Sequence, residues 1–259
     1  GSFGNAFTRL TLERFNPAKV IIFSRDEMKQ WEMKKLFGDD ERLRFFLGDV
    51  RDLERLRMAT RGVDYVIHAA ATKIVPAAEY NPFECIKTNV IGAMNVATAS
   101  LEANVRKVIA LSTDKASSPL NLYGASKLAS DKIFVAANNY IANSDETSFA
   151  VVRYGNVLAS RGSVVPLFLE MAQTGVIDIT DERMTRFMIT LDQAVDLVWR
   201  AIDSSVGGEI FVKKIPSAKI TDLARAIAPN AQLNFIGRRP GEKLHEEMIS
   251  SQEAEYTFE

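Results

Sequence analysis

Val108-Ile109-Ala110-Leu111-Ser112-Thr113-Asp114-Lys115, followed by Tyr123-Gly124-Ala125-Ser126-Lys127, decides the reading of this chain. The apolar run Val108 to Leu111 predicts a buried parallel strand that delivers a hydroxyl, a carboxylate and an ammonium at its C-terminal edge. Open α/β sheets bind ligands at that edge. The spacing predicts a helix over 123–137, so Tyr123 and Lys127 share a face one turn apart. Thr113, Asp114, Lys115, Tyr123 and Lys127 then converge as candidate catalytic groups. Each pair taken alone has a plainer reading: a surface ion pair for Asp114 and Lys115, an ordinary helix face for Tyr123 and Lys127.

Upstream, strands and helices alternate. Strands are predicted at Lys19–Phe23, Arg44–Leu47 and Tyr65–His68, and helices at Asn5–Arg14, Leu53–Met58 and, behind Pro82, Phe83–Leu101. This alternation is the pattern of a doubly wound parallel sheet. Gly1-Ser2-Phe3-Gly4 reads as the end of a glycine-rich turn whose following helix faces a dinucleotide pyrophosphate, with the first strand and first glycine of that motif expected to be missing. At the tip of the second strand, Ser24, Arg25 and Lys29 favour a 2′-phosphate, hence NADP over NAD. Asp49, beside Val50, is positioned to accept a hydrogen bond from an adenine amine, or else to cap the Leu53 helix. Ala69, Ala70 and Ala71 let the backbone approach a flat ligand. His68, inside an apolar run, is read as a packed, hydrogen-bonded histidine without a role. Lys73 on the next loop is a candidate contact for a substrate phosphate.

Downstream, Phe149–Tyr154 is a further strand, Ile189–Ile202 an amphipathic helix and Glu209–Val212 a returning strand. Between them lie polar segments rich in arginine. Residues 1–154 and 190–212 are therefore assigned to a dinucleotide-binding domain, and 155–189 with 213–259 to a smaller interleaved lobe. Arg186 and Arg239, each among loop residues, are candidates to clamp a diphosphate.

The 259 residues, 47% of them hydrophobic, suffice for one α/β enzyme with an added lobe. A net charge of -1 points to neither nucleic acid nor a membrane surface. Cys85 is the single cysteine, which excludes an internal disulfide and fits a reducing cytoplasm. No apolar run approaches the roughly 18 residues of a membrane helix. No metal site is expected.

These stretches resemble the extended short-chain dehydrogenase/reductases, a Rossmann-fold superfamily, and within it the soluble inverting 4,6-dehydratases that act on UDP-N-acetylglucosamine in pseudaminic acid synthesis. GSFG, SRDE, GDVRDLER, IHAAA, EYNPFECIKTN, LSTDKA, NLYGASK, VVRYGNV, SRGSVVP, ITDERMTRF and RRPGEKLHE carry the resemblance across nearly the whole chain. YGASK marks the superfamily, whereas LSTDKA with RPGEKLHE is far narrower. Tyr123, where related dehydratases often carry methionine, favours the pseudaminic acid branch. The family pattern also has a strand ahead of Gly1 and further residues after Glu259.

The resemblance implies a lyase that oxidises C4 of the sugar with bound NADP, removes water across C5 and C6, and returns the hydride to C6 to give a C5-inverted 4-keto-6-deoxy product. It implies Tyr123 as base for the C4 hydroxyl, Lys115 as base for the C5 proton, Asp114 as acid for the C6 hydroxyl, and Thr113 as a hydrogen-bond partner near the C4 oxygen. A phenol near pKa 10 must be held about 3 units lower to ionise at neutral pH, about 4 kcal/mol that Lys127 and a cationic nicotinamide are expected to supply. Moving a proton from the Lys115 ammonium to the Asp114 carboxylate costs about 9 kcal/mol in water, so the site is expected to be dry. Asn89 joins the cofactor set; Tyr154, Asn156, Val157 and Glu242 join Lys73, Arg186 and Arg239 on the UDP-sugar. A homo-oligomer paired through helices such as Phe83–Leu101 is also implied. Two alternatives stay open: a nucleotide-sugar 4-epimerase or simple oxidoreductase, which needs Tyr123 and Lys127 but not Asp114 and Lys115, and a non-catalytic dinucleotide-sensing module.

Overall fold

A computed structural model describes residues 1–141 and 147–259. The chain runs α1 (Ser2–Arg14), β1 (Val20–Ser24), α2 (Glu27–Phe37), β2 (Leu43–Leu47), α3 (Leu53–Ala59), β3 (Tyr65–His68), α4 (Val75–Tyr80), α5 (Pro82–Ile86), a π-helical turn (Lys87–Ile91) and α6 (Gly92–Glu102). Then come β4 (Lys107–Thr113), α7 (Leu122–Ala137), β5 (Ser148–Tyr154), β6 (Asn156–Val157), α8 (Val164–Ala172), β7 (Val176–Ile179), β8 (Thr185–Ile189) and α9 (Leu191–Ser204). The remainder is β9 (Ile210–Val212), β10 (Ser217–Lys219), α10 (Ile220–Ile227), β11 (Gln232–Phe235) and α11 (Ser251–Ala254).

The central sheet is parallel throughout, in the order β3-β4-β5-β9. Its two middle strands are buried on both faces, because their side chains alternate between two cores. Val108, Ala110, Phe149 and Val151 pack under α6 and α7. Ile109, Leu111, Ala150 and Val152 pack against α9, with Phe3 and Phe7 of α1 at the edge of that cluster. Trp199 fastens α1 to α9 by stacking on Phe7, with ring centroids 5.5 Å apart. Helices thus cover both faces, the Rossmann-like α/β architecture expected from the alternation.

The chain departs from the simplest reading at several points. β1 and β2 pair in parallel as a separate two-stranded sheet, without hydrogen bonds to β3. Ser2 to Gly4 are the first turn of α1 rather than a turn ahead of it, with Gly1 at the cap and the Asn5 amide donating to its carbonyl. The expected continuous helix over 83–101 is interrupted by the π-helical turn. Ile189 ends β8, and Thr190 caps α9 through a reciprocal pair with Gln193, so that helix starts two residues later than the apolar pattern suggests. Asp52, not Asp49, caps α3 by accepting from the Arg55 amide. Arg186 lies on β8 rather than in a loop.

A further core unites Phe168, Ile177, Ile179, Met184, Met188, Ile220 and Ala224. β6, β8 and β10 form one small sheet near it, and β7 with β11 another. No helix among the described residues is long and apolar enough to cross a membrane.

Candidate active site

Parallel register sets Thr113 beside Tyr154 at the C-terminal edge of the central sheet. The chain then turns through Asp114–Ala116 into a loop that ends at Asn121, whose side chain caps α7 by accepting from the Gly124 amide at 2.8 Å. Gly124 is required here. A Cβ on it would overlap the Lys115 carbonyl oxygen, so α7 begins in direct contact with the loop carrying the candidate acid and base.

Of the groups predicted to converge, Thr113, Asp114 and Lys115 are in contact, with Tyr123 beside them. Asp114 is fully buried, and its Oδ1 accepts from Lys115 Nζ and from the Thr113 hydroxyl, both at 3.0 Å. Burial raises the phenol's pKa above its ordinary 10, outweighing the opposing effect of the neighbouring Thr113 hydroxyl, and the nearby Asp114 and Asp131 carboxylates push the same way as burial. Lys127 is buried, which lowers its pKa; the Asp131 carboxylate, one helical turn on, opposes the fall. The protein's own groups thus hold the phenol above its ordinary range, and the lowering expected from Lys127 together with a cationic nicotinamide draws on both.

Behind this pair runs a network with no motif to announce it. Asp131 Oδ2 accepts from the Ser112 hydroxyl at 2.6 Å and from Arg153 Nη2 at 3.3 Å. Burial raises the Asp131 pKa against the pull of Lys127, Ser112 and Arg153. Arg153, 1% exposed, also donates to the Met248 carbonyl and, in bidentate fashion, to Glu253 of α11 at 2.9 Å twice. His68 packs on the Phe134 ring at 5.3 Å, as expected of a core histidine, yet its Nε2 has no hydrogen-bond partner among the described residues. Burial first, then Lys127, lower its pKa to about 3.

The segment after Arg239 forms the other wall. Lys243 Nζ donates to the Ser117 carbonyl at 2.8 Å, Asn121 Nδ2 to the Gly241 carbonyl at 3.0 Å, and the Ser118 hydroxyl to Glu247 at 3.0 Å. Glu246 is buried with Oε1 3.5 Å from Lys115 Nζ. The sequence reading singled out Arg239 and Glu242 from this stretch and missed Lys243, Glu246 and Glu247. Arg239 and Glu242 instead line a cavity of about 520 Å³ with Val75, Pro76, Glu79, Tyr80 and Pro240. It adjoins the start of α7, where Glu79 accepts from the Leu122 amide at 2.7 Å.

The other predicted contacts divide. Tyr154 is buried, its pKa raised by burial and by Tyr123; Asn156 and Val157 form the short β6, and Asn156 Oδ1 is buried without a partner. Arg186 spends its guanidinium on the Thr185, Lys243 and Leu244 carbonyls, tying β8 to the segment after Arg239. Lys73 Nζ donates to the Arg161 carbonyl at 3.3 Å.

On the cofactor side, the capping side-chain bond that α1 lacks leaves its first-turn amides free, and open space lies where a Cβ on Gly1 or Gly4 would point. Ser24 Oγ accepts from the Asp26 amide, Arg25 pairs with Asp49 at 3.4 Å, and Lys29 pairs with Asp26, at 2.5 Å. Asp49 is held low by Arg51 and Arg25 against the opposing effect of burial, while Val50 is buried. Asn89, in the π-helical turn, donates to the Thr72 carbonyl and Ser126 hydroxyl and accepts from the Thr72 amide, so it anchors the loop after Ala69, Ala70 and Ala71.

Comparison with known proteins places the chain. It matches, over residues 1–259, the family described as polysaccharide biosynthesis protein. It is 58% identical over 261 residues to a UDP-N-acetylglucosamine 4,6-dehydratase (inverting) of Campylobacter jejuni, covering 100% of this chain and 78% of the relative. It is 45% identical to a UDP-glucose 4-epimerase of Rickettsia conorii, covering 98% and 76%. Among solved structures, Pen from Bacillus thuringiensis superposes with a TM-score of 0.91 at 39% identity, over 96% of this chain and 80% of that one. A dTDP-glucose 4,6-dehydratase from Streptomyces venezuelae shares the fold, with a TM-score of 0.85 at 21% identity over 97% and 86%. With a family match along its whole length and relatives this similar, the chain belongs to the polysaccharide biosynthesis protein family.

Proposed function

We propose that the protein removes water from UDP-N-acetylglucosamine, as its Campylobacter relatives are named for doing, through a transient 4-keto sugar, and yields a C5-inverted UDP-4-keto-6-deoxy-hexose for pseudaminic acid or a related surface glycan. The observation that carries this reading is the Asp114–Lys115 pair, with Asp114 fully buried, Lys115 half-buried and Thr113 bonded to the same carboxylate beside Tyr123. An epimerase uses a tyrosine and a lysine and has no work for an adjoining acid and amine. Solvated, such a pair is inert; shut away from water, both charges are costly and proton transfer between them is eased.

Tyr123 takes the C4 hydroxyl proton, with Thr113 orienting the phenol. Lys115 takes the C5 proton, made acidic by the adjacent ketone, and Asp114 protonates the departing C6 hydroxyl. Lys127, one helical turn from Tyr123 and facing the Asp131 carboxylate, supplies a buried cation on the same helix. The residues suited to a nicotinamide dinucleotide are Gly1–Gly4 with the free amides of α1, Ser24, Arg25, Lys29, Asp49, Val50, the Ala69–Ala71 loop with Asn89 behind it, and Tyr123 with Lys127. When bound, such a cofactor accepts a hydride from C4, returns one to C6 and adds positive charge beside the phenol. Arg25 and Lys29 make NADP the preferred form. Arg239 and Glu242, in the cavity beside α7, with Lys73, Tyr154, Asn156 and Val157, receive the UDP-sugar, and Arg186 braces the wall of residues 243–244. Residues 155–189 and 213–259 serve as the substrate lobe, and the protein works as a homo-oligomer.

Incubation with UDP-N-acetylglucosamine and mass analysis tests the reading: the product is lighter by one water. The Rickettsia relatives named UDP-glucose 4-epimerase support a second reading, in which the product is isobaric with the substrate.

A further inference from the structure

We infer that Glu246 is the proton-holding partner of Lys115, and that Asp114, Lys115 and Glu246 together carry one proton more than a simple ion network would. The role rests on the dehydratase reading of the same site and extends it to a residue of the C-terminal segment. Lys115 Nζ lies 3.0 Å from Asp114 Oδ1 and 3.5 Å from Glu246 Oε1, and the two carboxyl side chains are 0% and 5% exposed. Among the described residues, Lys115 is the single cation within ion-pair distance of either. Asp114 Oδ2 and Glu246 Oε2 are both buried without a hydrogen-bond partner among the described residues.

Two carboxylates sharing one ammonium would leave excess negative charge and two orphaned charged oxygens away from water, a costly state. One added proton removes the excess charge and turns an orphaned acceptor into a donor. Because the ammonium touches both carboxyl groups, Lys115 is the path by which that proton passes between them.

Glu246 gives the Lys115 proton an acceptor other than Asp114, so the base is freed while Asp114 keeps a proton of its own. In the resting site Asp114 is a carboxylic acid, Lys115 an ammonium and Glu246 a carboxylate. The ammonium gives one proton to Glu246, leaving an amine and a second carboxylic acid. The amine lone pair then forms an N–H bond as the C5–H bond breaks, the released electron pair becomes the C5–C6 double bond, and the C6–O bond breaks. The departing oxygen takes the Asp114 proton and leaves as water. Asp114 is now a carboxylate, Lys115 an ammonium and Glu246 a carboxylic acid, so the proton count is unchanged. Transfer from Glu246 through Lys115 to Asp114 restores the start. Glu246 acts through Lys115, which makes it a positioning residue.

Glu246→Gln keeps the shape of the side chain but cannot take a proton, and Glu246→Asp keeps the acid. With the cofactor-loaded protein and UDP-N-acetylglucosamine, Glu246→Gln is expected to release water about 100-fold more slowly with KM within about twofold of the wild type. Exchange of the C5 hydrogen in heavy water falls with it, oxidation at C4 persists, and Glu246→Asp recovers at least about tenfold. Independently of activity, infrared spectra of the substrate-free protein show a protonated-carboxyl stretch that is lost in Glu246→Gln. Wild-type turnover in Glu246→Gln, loss of C4 oxidation together with elimination, no recovery in Glu246→Asp, or absence of the infrared band overturns the role. If Glu246→Gln does not fold, the wild-type band and the Glu246→Asp rate decide. If the wild type releases no water, the dehydratase reading fails, and the infrared band still tests the shared proton.

Discussion

Asp114 has no water to lose, and that single fact gives its neighbours their roles. Lys115→Met removes the base and leaves the C4 chemistry of Tyr123 in place, so elimination is expected to fall by about 10²- to 10⁴-fold while bound cofactor is retained; turnover and cofactor content of the purified variant are the measurements. Tyr123, Thr113, Asp114 and Lys115 were legible in the sequence because they sit at one strand end and one helix start, where short-range spacing dictates direction. Glu246 was not legible, because it arrives from a segment far along the chain and only tertiary packing brings it to Lys115. His68 shows the same limit: its apolar setting was readable, its missing partner was not. Its depressed pKa carries a pH prediction. The unfolded chain binds a proton below about 6.5 that the folded protein refuses until about 3, so this contribution to stability is complete above pH 6.5 and is lost as pH falls toward 3. Thermal unfolding across that window should show His68→Leu losing less stability with acid than the wild type, and equal acid sensitivity would count against the assignment.

Among the elements, α7 is the one the site depends on. Gly124→Ala forces a methyl into the Lys115 carbonyl, and a cost of about 1–3 kcal/mol is expected in denaturant unfolding, with a larger fractional loss of turnover because the acid and base are displaced. The network behind α7 is also testable. Arg153→Met strips Asp131 of a buried cation and is expected to cost about 3–5 kcal/mol, whereas Asp131→Asn combined with Arg153→Met costs less than the sum of the two, which a double-mutant cycle on unfolding reads directly. The long apolar helices and buried strands were readable from periodicity. The π-helical turn was not, since Lys87–Ile91 has ordinary helix-forming residues and the extra backbone residue is held by the Asn89 side chain on Thr72 and Ser126. β6, β7, β8, β10 and β11 escaped too, because polar and charged residues interrupt them, as Asp178, Arg186 and Asn234 do, and no continuous apolar run marks them.

For the molecule as a whole, parallel strands buried between α6 with α7 and α9 with α1 hold the sheet edge rigid, and residues 239–253 close over that edge through Lys243, Glu246, Glu247 and Met248. The α/β class could be read from alternation alone, but this closure could not, because it consists of single polar contacts between distant segments. It also brings the buried Glu246 to Lys115 beside the fully buried Asp114 at the strand end. The measurement that bears on this most directly is mass analysis of the product formed from UDP-N-acetylglucosamine in heavy water. A product that has lost one water and carries solvent deuterium at C5 is the predicted result; a product isobaric with the substrate, with no deuterium at C5, would contradict it.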